Sequence, residues 1–288
     1  MNRYVGHFHL VLSDLANTVR TYTDAVDSHY CTFSQPLTEL GQLQASALGR
    51  SGKIDPNKFW RFYTSDLERA HHTGQLILDG TTTDASASHK SDNQQCKFLL
   101  DTRLRELSKG PREGYPKAMT EEEAIEARIS QNEKEEDFPV LETEKDGYKR
   151  FSQWLYEVVK DAHQDQTKQP SSNRRMVYSI LCVAHSALIR AALIDLFSKE
   201  KLVNSSGVTF GADGRLLIPN TSLTILDIYP NLSHECWRRN EDEPSPMSEL
   251  DSPSGSPGSS WRANLIELTW TGHYDIMPNK KSVNEDTD

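Results

Sequence analysis

Two periodicities alternate along this chain. Short runs at Phe8–Leu12, Phe59–Tyr63, Lys97–Leu100, Leu216–Ile218, Ser222–Ile228 and Trp261–Trp270 read as strands, as does the apolar stretch Ile180–Val183. Between them apolar residues recur at helical spacing: Leu37, Leu40, Ala47 and Leu48, then Leu67, Ala70, Leu76 and Ile77. The same spacing returns at Phe151, Trp154, Leu155, Val158 and Val159, and again at Leu188, Ile189, Ala192, Leu193 and Leu196. Thr38 is the N-cap candidate of the first helix, and Thr64-Ser65-Asp66 supplies turn and cap for the second. Strand-then-helix repetition predicts a single α/β domain over 1–288, three layers deep, with a mostly parallel central sheet flanked by helices. The Ser/Thr/Asp-rich stretch 81–95 and the polar stretch 164–175 read as connections. The Pro/Ser/Gly-rich segment 241–260 predicts a flexible insertion between two neighbouring edge strands, suited to phosphorylation at its Ser-Pro steps, and 275–288 a disordered tail.

Chemistry enters where strands give way to helices. Val183-Ala184-His185 delivers a histidine to a strand-to-helix turn, where open α/β sheets bind ligands and helix amides can hold an anion. On position alone His185 reads equally as a packed, partnered histidine. Glu106 falls just past another strand end.

Composition narrows the setting. The chain has 288 residues, 36% hydrophobic and 26% charged, with a net charge of -10, as in an ordinary soluble acidic protein. Its four cysteines, Cys31, Cys96, Cys182 and Cys236, form no Cys-x-x-Cys pair, and no N-terminal run has the order of a signal peptide, so a cytoplasmic protein without disulfides or structural zinc is expected. No apolar segment approaches the ~20 residues of a membrane span. The acidic balance argues against non-specific nucleic-acid binding, so any anion site must be built locally. The acidic runs Glu121–Glu123 and Glu133–Asp137 read as solvated helix faces and loop.

Several segments carry a family resemblance. Thr64-Ser-Asp-Leu-Glu-Arg69-Ala-His-His-Thr73 resembles the Ser-x-Leu-x-Arg-Ala-x-x-Thr segment of the histidine phosphatase superfamily, in its phosphoglycerate-mutase-like branch. Pro36-Leu-Thr-Glu-Leu-Gly41-Gln-Leu-Gln-Ala45 resembles the family's Pro-Leu-Thr-x-x-Gly-x-x-Gln-Ala helix start, and Leu104–Gly114 its Leu-x-Glu-x-x-x-Gly-x-x-Glu-Gly segment. Val183-Ala-His185 is similar to the late Ser-His-Gly, Asn220–Leu226 to the late Asn-Thr strand, and Trp261–Tyr274 to the terminal strand with its trailing histidine. The resemblance implies a phosphoglycerate-mutase-like fold, Arg69 as phosphate clamp, Glu106 as proton donor and acceptor, and His185 as the second histidine, which stabilises the transferring phosphoryl group. It implies no metal and no cofactor, and His71-His72, diverging by about 100° on a helix, read as helix surface.

The resemblance breaks at the first strand, which in the family ends in Arg-His-Gly and supplies the nucleophilic histidine. Here it ends in Ser13-Asp14-Leu15, and no Arg-His-Gly occurs anywhere. His7 and His9 lie before or inside the strand, His29 is no better placed, and Arg20 is a candidate stand-in for the missing phosphate-binding arginine or else a solvated or structural arginine. Arg112 and Arg190 read as structural or solvated. Two functions are open: a phosphatase acting on a phosphorylated small molecule or phosphoprotein, or a pseudophosphatase that keeps a phosphate pocket without covalent catalysis. The acidic segment Glu121–Asp137 is expected over the pocket, biasing against highly anionic substrates. Oligomeric state follows from neither the residues nor the resemblance.

Overall fold

A computed structural model of the chain describes residues 7–13, 36–81, 97–116, 118–167, 177–197, 210–212, 214–230 and 261–277. The elements in order are β1 (His7–Ser13), α1 (Glu39–Arg50), β2 (Arg61–Thr64), α2 (Glu68–Thr81), β3 (Phe98–Leu100), α3 (Glu121–Ser130), α4 (Glu144–Thr167), β4 (Val177–Val183), α5 (Ser186–Phe197), β5 (Leu223–Pro230) and β6 (Trp261–Trp270). The strands form one sheet in the order β3-β2-β4-β1-β5-β6. β1 to β4 are mutually parallel, β5 runs antiparallel to β1, and β6 antiparallel to β5, so β5 alone is reversed.

The register brings several strand ends to one edge. Thr64 pairs with both Leu100 and Val183, and Ser13 pairs with Val183. Leu223, the first residue of β5, pairs with Ser13 and with Trp270. The carboxyl ends of β1, β2, β3, β4 and β6 therefore meet the start of β5, the location at which open sheets bind ligands.

Alternation along the strands builds the outer layers. Phe62, Leu181 and Val183 pack with Ala45, Leu48, Ala70 and Ile77 of α1 and α2. Tyr63, Ile180 and Cys182 point the other way, into a cluster with Phe151, Trp154, Leu155 and Val158 of α4 and Leu188 and Leu193 of α5. This is the three-layer α/β arrangement the periodicities predict. α1 and α2 approach closely at Gly49, where an added Cβ would stand 2.1 Å from the carbonyl oxygen of Ile77.

Caps set the helix boundaries. Thr38 accepts from the Gly41 N–H at 3.0 Å, as expected of an N-cap. α4 begins a turn before the apolar pattern does, because Thr143 and Asp146 exchange hydrogen bonds, at 2.9 Å from the Thr143 N–H and 3.3 Å from the Asp146 N–H. Thr120 and Glu123 make the same capping box at α3, whose first-turn acids are exposed, in keeping with solvated faces.

Other expectations are corrected. Leu216–Ile218 is not a strand: Leu216 makes one isolated bridge to Phe210, and β1 and β6 already occupy both sides of β5. For the same reason β6 alone is an edge strand beside the insertion. The second strand starts at Arg61, after a 3-10 turn over Pro56–Lys58. Of the expected tail, Asp275 and Ile276 belong to a 3-10 turn and Met277 is buried. Segment 241–260, residues 82–96, Arg20, His29, Cys31, Cys96 and Cys236 lie outside the described residues. Among those described, no helix is long and apolar enough to cross a membrane.

Candidate active site

Two adjacent strand-to-helix turns carry the central pair. The Ser65 N–H donates to the Val183 carbonyl at 3.1 Å, continuing the pairing of β2 and β4 past their ends. Ser65 Oγ accepts from the Leu67 N–H at 3.3 Å and starts α2, which places Arg69 on the first turn. From β4 the chain passes through Ala184 to His185, whose carbonyl accepts from the Ile189 N–H at 2.9 Å as α5 begins. Arg69 Nη2 then lies 3.5 Å from His185 Nδ1, with both residues buried at 2% and 3% exposure.

Burial, reinforced by the charges of Arg69 and then Arg150, holds the His185 imidazole well below its ordinary pKa, so the ring is neutral at neutral pH. A guanidinium only donates, so the ring turns the lone pair of Nδ1 to Arg69 and carries its hydrogen on Nε2. Nε2 is buried and has no hydrogen-bond partner among the described residues. A planar cation beside an N–H donor without a partner among the described residues, both desolvated, has the chemistry to receive an oxyanion.

Glu106 belongs to the segment leaving the neighbouring strand. The Asp101 N–H donates to the Thr64 carbonyl at 2.9 Å, and Asp101 caps a 3-10 turn over Thr102–Leu104. The half-buried Glu106 follows, its Oε1 accepting from the Leu107 N–H at 2.8 Å. Arg105 ties this segment to the Arg69 turn with a bidentate pair to Asp66, at 2.7 and 2.5 Å. Those bonds hold the Asp66 carboxyl below the usual range, against the opposing effect of burial. α3 packs beside the segment that follows: Arg128 donates to the carbonyls of Pro111 at 2.7 Å and Glu113 at 2.6 Å.

A second buried histidine closes the same edge. His273, fully buried, places Nε2 2.8 Å from the Thr221 hydroxyl, and Tyr274 donates its hydroxyl to the Asn220 carbonyl. Thr221 has φ 50°, a strained left-handed value that these bonds pin. Burial alone lowers His273 to about 4.

The expected residues thus fall unevenly. Arg69 and His185 are in contact, and Glu106 stands one strand over. Ser13 ends β1 level with Val183, where the family would begin its nucleophile motif. His7 and His9 pair with Val177 and Ser179, about 20 and 13 Å along the strand from that edge, so neither serves there. Arg190 pairs with Glu144 at 3.3 Å. A surface groove of about 530 Å³, lined by Arg61, Tyr63, Asp101, Arg103 and Trp154 among others, contains none of the three. Its arginines are committed to acids, Arg61 to Asp161 at 2.6 Å and Arg103 to Asp101 at 2.7 Å, so it is no rival anion site. Sequence reasoning missed Arg105 and Arg150. The signal for Arg150 was a cation four residues before Trp154, on the apolar stripe of α4.

Comparison with known proteins agrees with this fold. The structure resembles mycobacterial glucosyl-3-phosphoglycerate phosphatase, with a TM-score of 0.52 at 20% identity over 91% of this chain and 99% of that one. It resembles a mycobacterial hydrolase, at 0.51 and 19% over 91% and 98%, and a phosphoglycerate mutase from Bacillus anthracis, at 0.50 and 19% over 78% and 89%. At such identities these likenesses carry the fold alone. No curated protein matches the chain in sequence. The sequence profile of the histidine phosphatase superfamily (branch 1) matches residues 32–235, a span that holds Arg69, Glu106 and His185, and the chain belongs to that family.

Proposed function

We propose that this chain is a phosphatase-like protein that binds phosphate monoesters at the carboxyl edge of its sheet. The observation that carries the reading is the buried Arg69–His185 pair, in which a neutral imidazole keeps an Nε2–H without a partner among the described residues beside a guanidinium. Arg69 would hold two phosphate oxygens and His185 Nε2–H a third, while Glu106 would pass a proton to the leaving oxygen. Retention of these three favours hydrolysis of a phosphorylated small molecule or phosphoprotein in a cytoplasmic setting.

A second reading rests on a specific observation. The sequence continues from β1 as Ser13-Asp14-Leu15, without a histidine, so the covalent phosphohistidine step has no nucleophile at that strand end. On this reading the chain is a pseudophosphatase with a regulatory or interaction role. Hydrolysis of para-nitrophenyl phosphate separates the two, tested on the native chain, on His185→Ala, and on a chain with Arg-His-Gly restored after the first strand. Turnover by the native chain that His185→Ala abolishes supports the enzyme. Activity confined to the restored chain supports the pseudophosphatase, and absence of phosphate binding in every form refutes both.

A further inference from the structure

The backbone that bears Glu106 is held from a direction that the family motifs do not mark. We propose that Arg150, working with Glu142, is a positioning residue of this site: from α4 it fixes the segment 103–108 and thereby where the Glu106 carboxyl stands. The inference rests on the reading of Glu106 as the proton donor.

The guanidinium is used on both sides. Nη1 donates to the Arg103 carbonyl at 2.6 Å and Nη2 to the Glu106 carbonyl at 3.1 Å. Nε and Nη2 also donate to the two carboxylate oxygens of Glu142, at 2.8 and 2.9 Å. Glu142 in turn accepts from the Ser108 N–H at 2.9 Å, and its own N–H donates to the Ser108 carbonyl at 3.1 Å. An isolated bridge between Lys109 and Leu141 extends this pairing. One arginine and one glutamate thus reach both ends of the hexapeptide with Glu106 between them. A lysine, with its donors on a single atom, cannot span these acceptors.

Packing seats the same segment. An added Cβ at Gly147, one turn before Arg150, would stand 2.3 Å from Leu107 Cδ2. Leu107 is buried, and its N–H is the donor that orients the Glu106 carboxylate. Displacement of Leu107 therefore turns the acid. Arg150 also acts on the other half of the site, since its charge helps keep His185 neutral. Arg150 is thus coupled to the Glu106 backbone by a hydrogen bond and to His185 by its charge.

The test uses the unliganded full chain with Arg150→Met, which keeps volume and loses charge, and Arg150→Lys, which keeps charge and loses the fork. Two quantities are read by NMR: the ring-nitrogen titration of His185 and amide exchange at Leu107 and Ser108. The expected result is a higher His185 titration in R150M than in the native chain or R150K. Exchange at Leu107 and Ser108 should rise at least about tenfold in both variants, with Tyr63 and Val183 unchanged. If R150M does not fold, Glu142→Gln should accelerate Ser108 and Leu107 in the same way. An unmoved His185 titration in a folded R150M, or unaltered exchange at Leu107 and Ser108 in the folded variants, overturns the proposal. Neither readout needs a ligand, so failure of the native chain to bind inorganic phosphate would count against the functional reading and leave this result standing.

Discussion

His185 and His273 are both buried imidazoles at one edge of one sheet, yet they sit in different electrostatic surroundings. His273 is lowered by burial alone; its Nε2 is satisfied by the Thr221 hydroxyl, while its Nδ1, like Nε2 of His185, has no partner among the described residues, so the arginines beside His185 make the difference. His185 is lowered by burial and by two arginines, and its Nε2 has no partner among the described residues. Burial by itself produces a structural histidine. Beside His185 burial is reinforced by the charge of the Arg69 guanidinium, and an oxyanion there would offset that charge and accept from Nε2–H.

The largest way to break this contrast is Arg69→Met. Loss of a charge-assisted fork should weaken inorganic phosphate binding about 100-fold, or about 3 kcal/mol, by calorimetry, whereas His273→Gln should leave it within about threefold. A comparable effect on stability belongs to His273. Its folded pKa is about 4 against an ordinary 6.5, so between those values the unfolded chain takes up a proton that the folded chain refuses. Stability should therefore fall by up to about 3 kcal/mol as pH drops from 6.5 towards 4, and His273→Gln should flatten that slope in urea titrations. His185 adds to the loss in the same sense. Gly147→Ala should cost about 1–3 kcal/mol and accelerate exchange at Leu107, through the clash with that side chain. Smallest of all, Thr38→Ala should cost about 1 kcal/mol of stability by removing the α1 cap and leave phosphate affinity unchanged.

The fold was legible wherever one element buries one face. Phe151, Trp154, Leu155 and Val158 predicted α4, and the alternation of Tyr63 against Phe62 reflects a strand packed on both sides. Leu216–Ile218 misled because an apolar triplet carries no information about whether a strand partner is free, and here β5 was already paired twice. Of the site, Arg69, Glu106 and His185 could be named from local motifs. What escaped was contact between distant parts of the chain: Arg105 with Asp66, Arg150 with the carbonyls of 103 and 106, and Thr221 with His273. A hydrogen bond between groups 39 to 52 residues apart leaves no periodic trace. A lone cation on an apolar helical stripe does leave one, and Arg150 shows how to read it.

Whether the Arg69–His185 pair receives an anion is read by ring-nitrogen NMR titration of both histidines with and without saturating inorganic phosphate. Phosphate should raise the His185 titration while that of His273 stays at about 4. A His185 titration that phosphate leaves unmoved, or one that shifts only in step with His273, would contradict anion binding by the pair.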